Sequence, residues 1–116
     1  MRRSVGSFRY AIAGLWYLVY TQPNARVHLV IACAAVGLGI LLRLPNAELA
    51  LLALAIGLVI MAEAMNSAVE ALVDFVQPDR HPTAGVVKDL AAAGVLIASI
   101  SSAAVGLLLF IPRLLP

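Results

Sequence analysis

Glu63, Asn66, Ser67, Glu70 and Asp74 recur at i, i+3, i+4, i+7 and i+11 within an otherwise apolar run. That spacing puts all five on one face of an α-helix. A carboxylate at membrane depth costs about 3 kcal/mol or more, so such residues mark a site or a pathway; the alternative is a structural hydrogen-bonded network between helices. Glu63 and Glu70 stand two turns apart, about 10 Å along the axis, too far to share one ion directly. Separate roles follow. A carboxylate withdrawn from water holds a proton more tightly, which suits the deeper Glu63 to a general base for a hydroxyl; Glu70, nearer water, suits a hard divalent cation.

A second constellation follows the first: Asp79-Arg80-His81-Pro82, then Gly85, then Lys88-Asp89. Lys88 near a helix start is poorly placed for the helix dipole but well placed to share an anion with free backbone N–H groups, and it reads as a phosphate ligand. Asp89 points about 100° away from it and is free to hold a partner. Asp79 and Arg80 read as a solvated loop. No Walker loop, Gly-rich kinase loop, GxSxG or HExxH motif occurs, so any nucleotide must be held by helix ends and single side chains.

The elements that carry these residues are membrane helices. Of 116 residues, 63% are hydrophobic and 12% charged, and the mean hydropathy is +1.01, outside the balance of a water-soluble domain. Three segments, 27–44, 48–74 and 86–111, are long and apolar enough to cross a bilayer. Pro45-Asn46 is expected to stop the first and cap the second; Thr83 is expected to cap the third, which Pro112 ends. Ahead of them, 4–22 sets Phe8, Ile12, Leu15, Trp16 and Val19 on one face opposite Arg9 and Gln22, an amphipathic helix that lies in the interface. Tyr10, Tyr17 and Tyr20 suit the headgroup level, and Arg2, Arg3 and Arg9 suit anionic lipid heads. The prediction is one all-α domain over 1–116, an interfacial helix plus three transmembrane helices. Arg2, Arg3, Arg9, Arg26, Arg80 and Lys88 fall on one side and Arg43 and Arg113 on the other, which predicts a cytoplasmic N-terminus and 75–85 loop and an external C-terminus. No removable signal peptide is expected. A net charge of +2 with no clustered basic patch excludes a nucleic-acid partner, and the lone Cys33 excludes a disulfide framework.

Glu63-Ala-Met-Asn66-Ser67-Ala-Val-Glu70-Ala-Leu-Val-Asp74, followed by His81-Pro82 and Lys88-Asp89-Leu-Ala-Ala-Ala-Gly-Val, resembles the prokaryotic diacylglycerol kinase family, which includes undecaprenol kinases. Ser7-Phe8-Arg9-Tyr10-Ala11 and Asn24-Ala25-Arg26-Val27-His28 fall in the same order, so the resemblance covers nearly the whole chain. It implies a homotrimeric bundle in the bacterial inner (plasma) membrane, with active sites at subunit boundaries near the cytoplasmic face, where ATP and Mg²⁺ meet a lipid hydroxyl. By the resemblance, Glu63 is similar to the catalytic base, Asn66 to a site-organising amide and Glu70 to a metal ligand. Lys88 matches the phosphate-binding lysine and Asp89 its polar neighbour, His81 and Gly85 match the nucleotide-contacting loop, and Arg9 resembles an N-terminal nucleotide or headgroup contact.

One position departs from the family pattern. Gln22 stands where many members carry a metal-holding glutamate, and it offers a neutral oxygen without charge, which should lower metal affinity. The Pro78–Pro82 loop and the Asn24-x-Arg26-x-His28 segment resemble members that favour undecaprenol over diacylglycerol. The rival expectation is a non-catalytic membrane assembly or small transporter subunit that uses Glu63 and Glu70 as a cation or proton pathway. That rival needs neither Lys88-Asp89 nor the His81 loop.

Overall fold

A computed structural model describes residues 2–115, with side chains from Gly6 to Leu115; the side chains of Arg2 and Arg3, read as lipid-head contacts, lie outside the described residues. The described chain is four α-helices: α1 (Arg2–Thr21), α2 (Pro23–Leu41), α3 (Asn46–Val76) and α4 (Pro82–Leu114). The last three are long and apolar enough to cross a membrane.

α1 and α2 are separated by Gln22 alone. Pro23 disfavours helical geometry in the residue before it, and Gln22 accordingly sits at φ −114°, ψ 107°. Proline is also well suited to the first helical position, so α2 begins there, a turn earlier than 27. Arg26 secures the joint by donating from Nη1 to Val19 O at 3.0 Å and Tyr20 O at 3.1 Å, which satisfies carbonyls that α1 leaves open at its end. Leu18 of α1 is buried in the joint.

α2 ends at Leu41, three residues short of the expected 44, because Arg43 turns left-handed at φ 56°. Leu44 N–H reaches back to Gly39 O at 3.0 Å and Arg43 N–H to Ile40 O at 3.1 Å, the paired bonds of a Schellman ending. Gly39 permits this close approach: a Cβ there would stand 3.2 Å from Leu44 Cδ1 and 3.3 Å from Leu49 Cδ2. Of the expected caps, Pro45-Asn46 narrows to its proline and Thr83 gives way to His81. Pro45 occupies the N-cap of α3 and Asn46 is its first helical residue, without a side-chain cap bond. His81, not Thr83, caps α4, its Nδ1 accepting from Thr83 N–H at 3.1 Å. Pro112 does not end α4, which runs to Leu114; its missing N–H costs the helix one bond, to Leu108 O, with only two helical residues to follow.

α3 packs most extensively on α4, and α2 and α1 also pack on α3. Ser102 Oγ donates to Ala55 O at 2.8 Å between α3 and α4. Arg113 Nη2 reaches Glu48 Oε2 at 2.5 Å, closing the far end of the pair. Helix lengths then fix where chemistry can occur. The 19 residues of α2 span about 28 Å, close to one hydrocarbon thickness, whereas the 31 residues of α3 span about 46 Å. Since α2 and α3 join through a tight turn, the excess lies at the other end, where the last turns of α3 and the first of α4 project as a hairpin. Glu70 and the 77–81 loop belong to that end.

Candidate functional site

The polar face of α3 has the form its spacing predicts. Glu63 is 3% exposed and Ser67 8%, while Asn66 and Glu70 are half-buried and Asp74 is exposed. Asn66 Nδ2 donates to Glu70 Oε1 at 3.3 Å, an i, i+4 contact that organises the face from within one helix. Glu63 Oε1, Asn66 Oδ1 and Ser67 Oγ are buried without a hydrogen-bond partner among the described residues. Three unmet polar atoms on one strip are costly, of order 1–3 kcal/mol each, and mark a place where something else is received.

Glu63 has one charged-capable neighbour from another helix. His28 Nε2 of α2 stands 3.3 Å from Glu63 Oε1, near enough to interact, although its direction leaves Oε1 without a hydrogen bond. From the sequence, His28 stands only within the Asn24-x-Arg26-x-His28 resemblance and is missed as a site residue. The available signal was depth: once α2 starts at Pro23, His28 lies more than a turn inside an apolar helix, where an ionisable group needs a reason.

Glu63 and His28 line a cleft of about 450 Å³ between α1, α2 and α3, otherwise walled by apolar residues that include Leu15, Trp16, Val19 and Ile60. A second cleft, of about 460 Å³, lies at the projecting hairpin and is lined by Asp74, Asp79, Arg80, His81, Gly85 and Lys88 among others. Here the structure brings together Lys88, His81 and Gly85 as the sequence suggested. Lys88 Nζ is held 2.5 Å from Asp74 Oδ1 across α3 and α4, a partner the spacing did not reveal. Gly85 opens onto free space, since a Cβ added there meets nothing within 4 Å. Arg9, Gln22 and Asp89 line neither cleft. Arg9 and Asp89 are exposed and Gln22 is half-buried at the α1–α2 joint.

Asp74 and Glu63 are eleven residues apart, about 16 Å along α3, with Glu70 between them one turn below Asp74. Among the described residues no three His, Cys, Asp or Glu side chains gather to hold a metal. The donor set nonetheless fits Mg²⁺: a carboxylate in Glu70 and an unpartnered amide oxygen in Asn66 are hard oxygen ligands, and this ion characteristically takes one or two carboxylates together with substrate phosphates.

The family model described as prokaryotic diacylglycerol kinase matches residues 9–110. The chain is 35% identical over 114 residues to an undecaprenol kinase of Bacillus subtilis, covering 98% of this chain and 93% of that one. It is 42% identical over 110 residues to a diacylglycerol kinase of Synechocystis sp., 94% of this chain but 63% of that longer protein. A diacylglycerol kinase of Haemophilus influenzae is 32% identical over 94 residues, 81% of this chain and 80% of its own length.

Proposed function

Since the chain belongs to the prokaryotic diacylglycerol kinase family and is a multi-pass membrane lipid kinase, we propose that it transfers the γ-phosphate of ATP directly to the hydroxyl of a neutral membrane lipid alcohol, with undecaprenol ahead of diacylglycerol. The observation that carries this reading is Glu63: a buried carboxylate with an unmet oxygen, lining an apolar cleft. That cleft suits a hydrocarbon chain whose hydroxyl points at the carboxylate. A cation or proton pathway gives no role to its apolar walls or to Lys88.

The lipid enters between α1 and α2, and the burial of its chain holds the hydroxyl at Glu63. Glu63 takes the hydroxyl proton as the oxygen attacks the γ-phosphorus in line. Lys88 leaves Asp74 for the phosphate oxygens and steadies their charge, with the α4 N-terminus and Gly85 giving the polyphosphate room. Asn66 fixes the Glu70 carboxylate, and Arg9 and Asp89 meet the nucleotide or headgroup from outside the two clefts. Glu70, Asn66 and the Gln22 side-chain oxygen would hold Mg²⁺, which when bound neutralises phosphate charge. Undecaprenol is favoured on the Pro78–Pro82 loop and on the relative of that name, matched over nearly its full length.

The reading extends to assembly and orientation. A third cleft, of about 540 Å³, runs between α2 and α4 over α3, and small residues such as Ala32, Ala35, Ser99, Ala103 and Gly106 line it. It leaves room for close approach by a neighbouring helix, which supports a homotrimer. The distribution of Arg and Lys supports a cytoplasmic hairpin in the bacterial inner membrane. The test is transfer of label from γ-labelled ATP into undecaprenol or diacylglycerol supplied in vesicles with purified protein. Glu63→Gln should lower transfer by a factor of about 100 or more. Undiminished transfer by that variant, or none by the parent chain, would overturn the proposal.

A further inference from the structure

We infer that His28 takes the proton off Glu63 after each phosphoryl transfer and returns it to water, so that turnover, and not the first transfer, depends on its imidazole. The inference rests on the reading of Glu63 as the base. A base that has accepted a hydroxyl proton must lose it before the next cycle, and Glu63 is badly placed to lose it alone. It is 3% exposed. Its cleft offers no other acceptor, for His28 and Glu63 are the two ionisable residues among those lining it.

His28 has the opposite placement. Its side chain is 26% exposed and lines both the α1–α2–α3 cleft and the cleft between α2 and α4. It is five residues from the start of α2, about 7.5 Å along the axis from the end of that span. Nε2 stands 3.3 Å from Glu63 Oε1, within reach for a proton to pass between them. Among the described residues, neither group forms an ion pair with any other side chain.

The proton count closes. The lipid O–H bond breaks as the O–P bond forms, and the proton binds Glu63. It then passes from the carboxyl oxygen to the free ring nitrogen of neutral His28, 3.3 Å away. The imidazolium releases one proton to water, which restores an ionised Glu63 and a neutral His28. No oxidant or further reactant is needed.

Rapid-quench measurements of labelled phosphate transfer in phosphatidylcholine vesicles containing diacylglycerol or undecaprenol, with ATP in excess, test this on the full-length protein. His28→Gln keeps a hydrogen-bond donor but cannot carry the proton. Its trace should show one phosphorylated lipid formed rapidly per active site, followed by a steady rate about tenfold or more below the parent's. Because the burst counts the active sites, a partly folded preparation shrinks its amplitude and leaves the ratio of the two phases readable. Added imidazole should raise the steady rate of His28→Ala and leave the burst unchanged. A steady rate equal to the parent's, or a first transfer slowed as much as the later ones, would overturn the relay, the second result assigning His28 to positioning alone. Glu63→Gln, run alongside, keeps the two readings apart: if it turns over normally the base assignment fails, and if it is inactive while His28→Gln is normal, the relay fails alone.

Discussion

The Lys88–Asp74 pair sets a competition that Asp74→Asn should expose. Nζ sits 2.5 Å from Oδ1, and the two side chains are 39% and 62% exposed. A pair this open to water is worth at most about 1 kcal/mol. If Lys88 must leave Asp74 to meet a phosphate, that energy is subtracted from ATP binding, and removing the carboxylate returns it. Since about 1.4 kcal/mol is a factor of ten, the ATP KM should fall by up to about fivefold, with kcat nearly unchanged. The gain should shrink as salt rises, because at about 0.15 M the screening length is only about 8 Å. Initial rates against ATP concentration at low and physiological ionic strength measure this, and thermal unfolding in detergent should move little. A raised KM would refute the reasoning, since Asp74 would then be holding Lys88 in its working position. A large loss of kcat would refute it equally.

Gln22→Glu should lower the Mg²⁺ concentration for half-maximal rate severalfold by adding charge at the α1–α2 joint; an unmoved Mg²⁺ dependence would remove Gln22 from the metal site. Trp16→Ala strips one wall of the apolar cleft, and a lost aromatic contact of about 1 kcal/mol should raise the KM for lipid alcohol about fivefold while the ATP KM stays put. Gly39→Val should destabilise the chain by about 1–3 kcal/mol in thermal or denaturant unfolding. Its Cβ already approaches Leu44 and Leu49 within 3.3 Å, and the added methyl groups have nowhere to go.

The polar face of α3 was legible because it is local: five residues at helical period in one apolar run need no knowledge of neighbours. Helix existence was legible for the same reason. Helix ends were less so, because several residues compete for each. Asn46 and Thr83 are good capping types, yet Pro45 and His81 hold those positions, and Pro23 draws α2 back by a turn. What one-dimensional reading misses is partnership between distant residues. Lys88 looked like a free phosphate ligand until α3 and α4 brought Asp74 to it, and Glu48 and Arg113, 65 residues apart, carry no mark of meeting. His28 and Glu63 belong to the same class: each was visible as a polar residue in an apolar helix, and only packing of α2 on α3 makes them a pair.

The two ion pairs joining α3 to α4 act as a float line. Glu48 and Asp74 are 26 residues apart, about 39 Å, so in a hydrocarbon layer of about 30 Å both pairs lie just outside the oil. Moving the hairpin up or down would drag one of them in. Glu63 is thereby pinned at a set depth, roughly 10 Å below the boundary on the Asp74 side. A lipid can present its reacting oxygen there only if its polar end will sink that far. One hydroxyl gives up little hydration on the way down, whereas a charged headgroup is held at the surface by its own solvation. Selection among membrane lipids thus begins with buoyancy, before any contact in the cleft has been made.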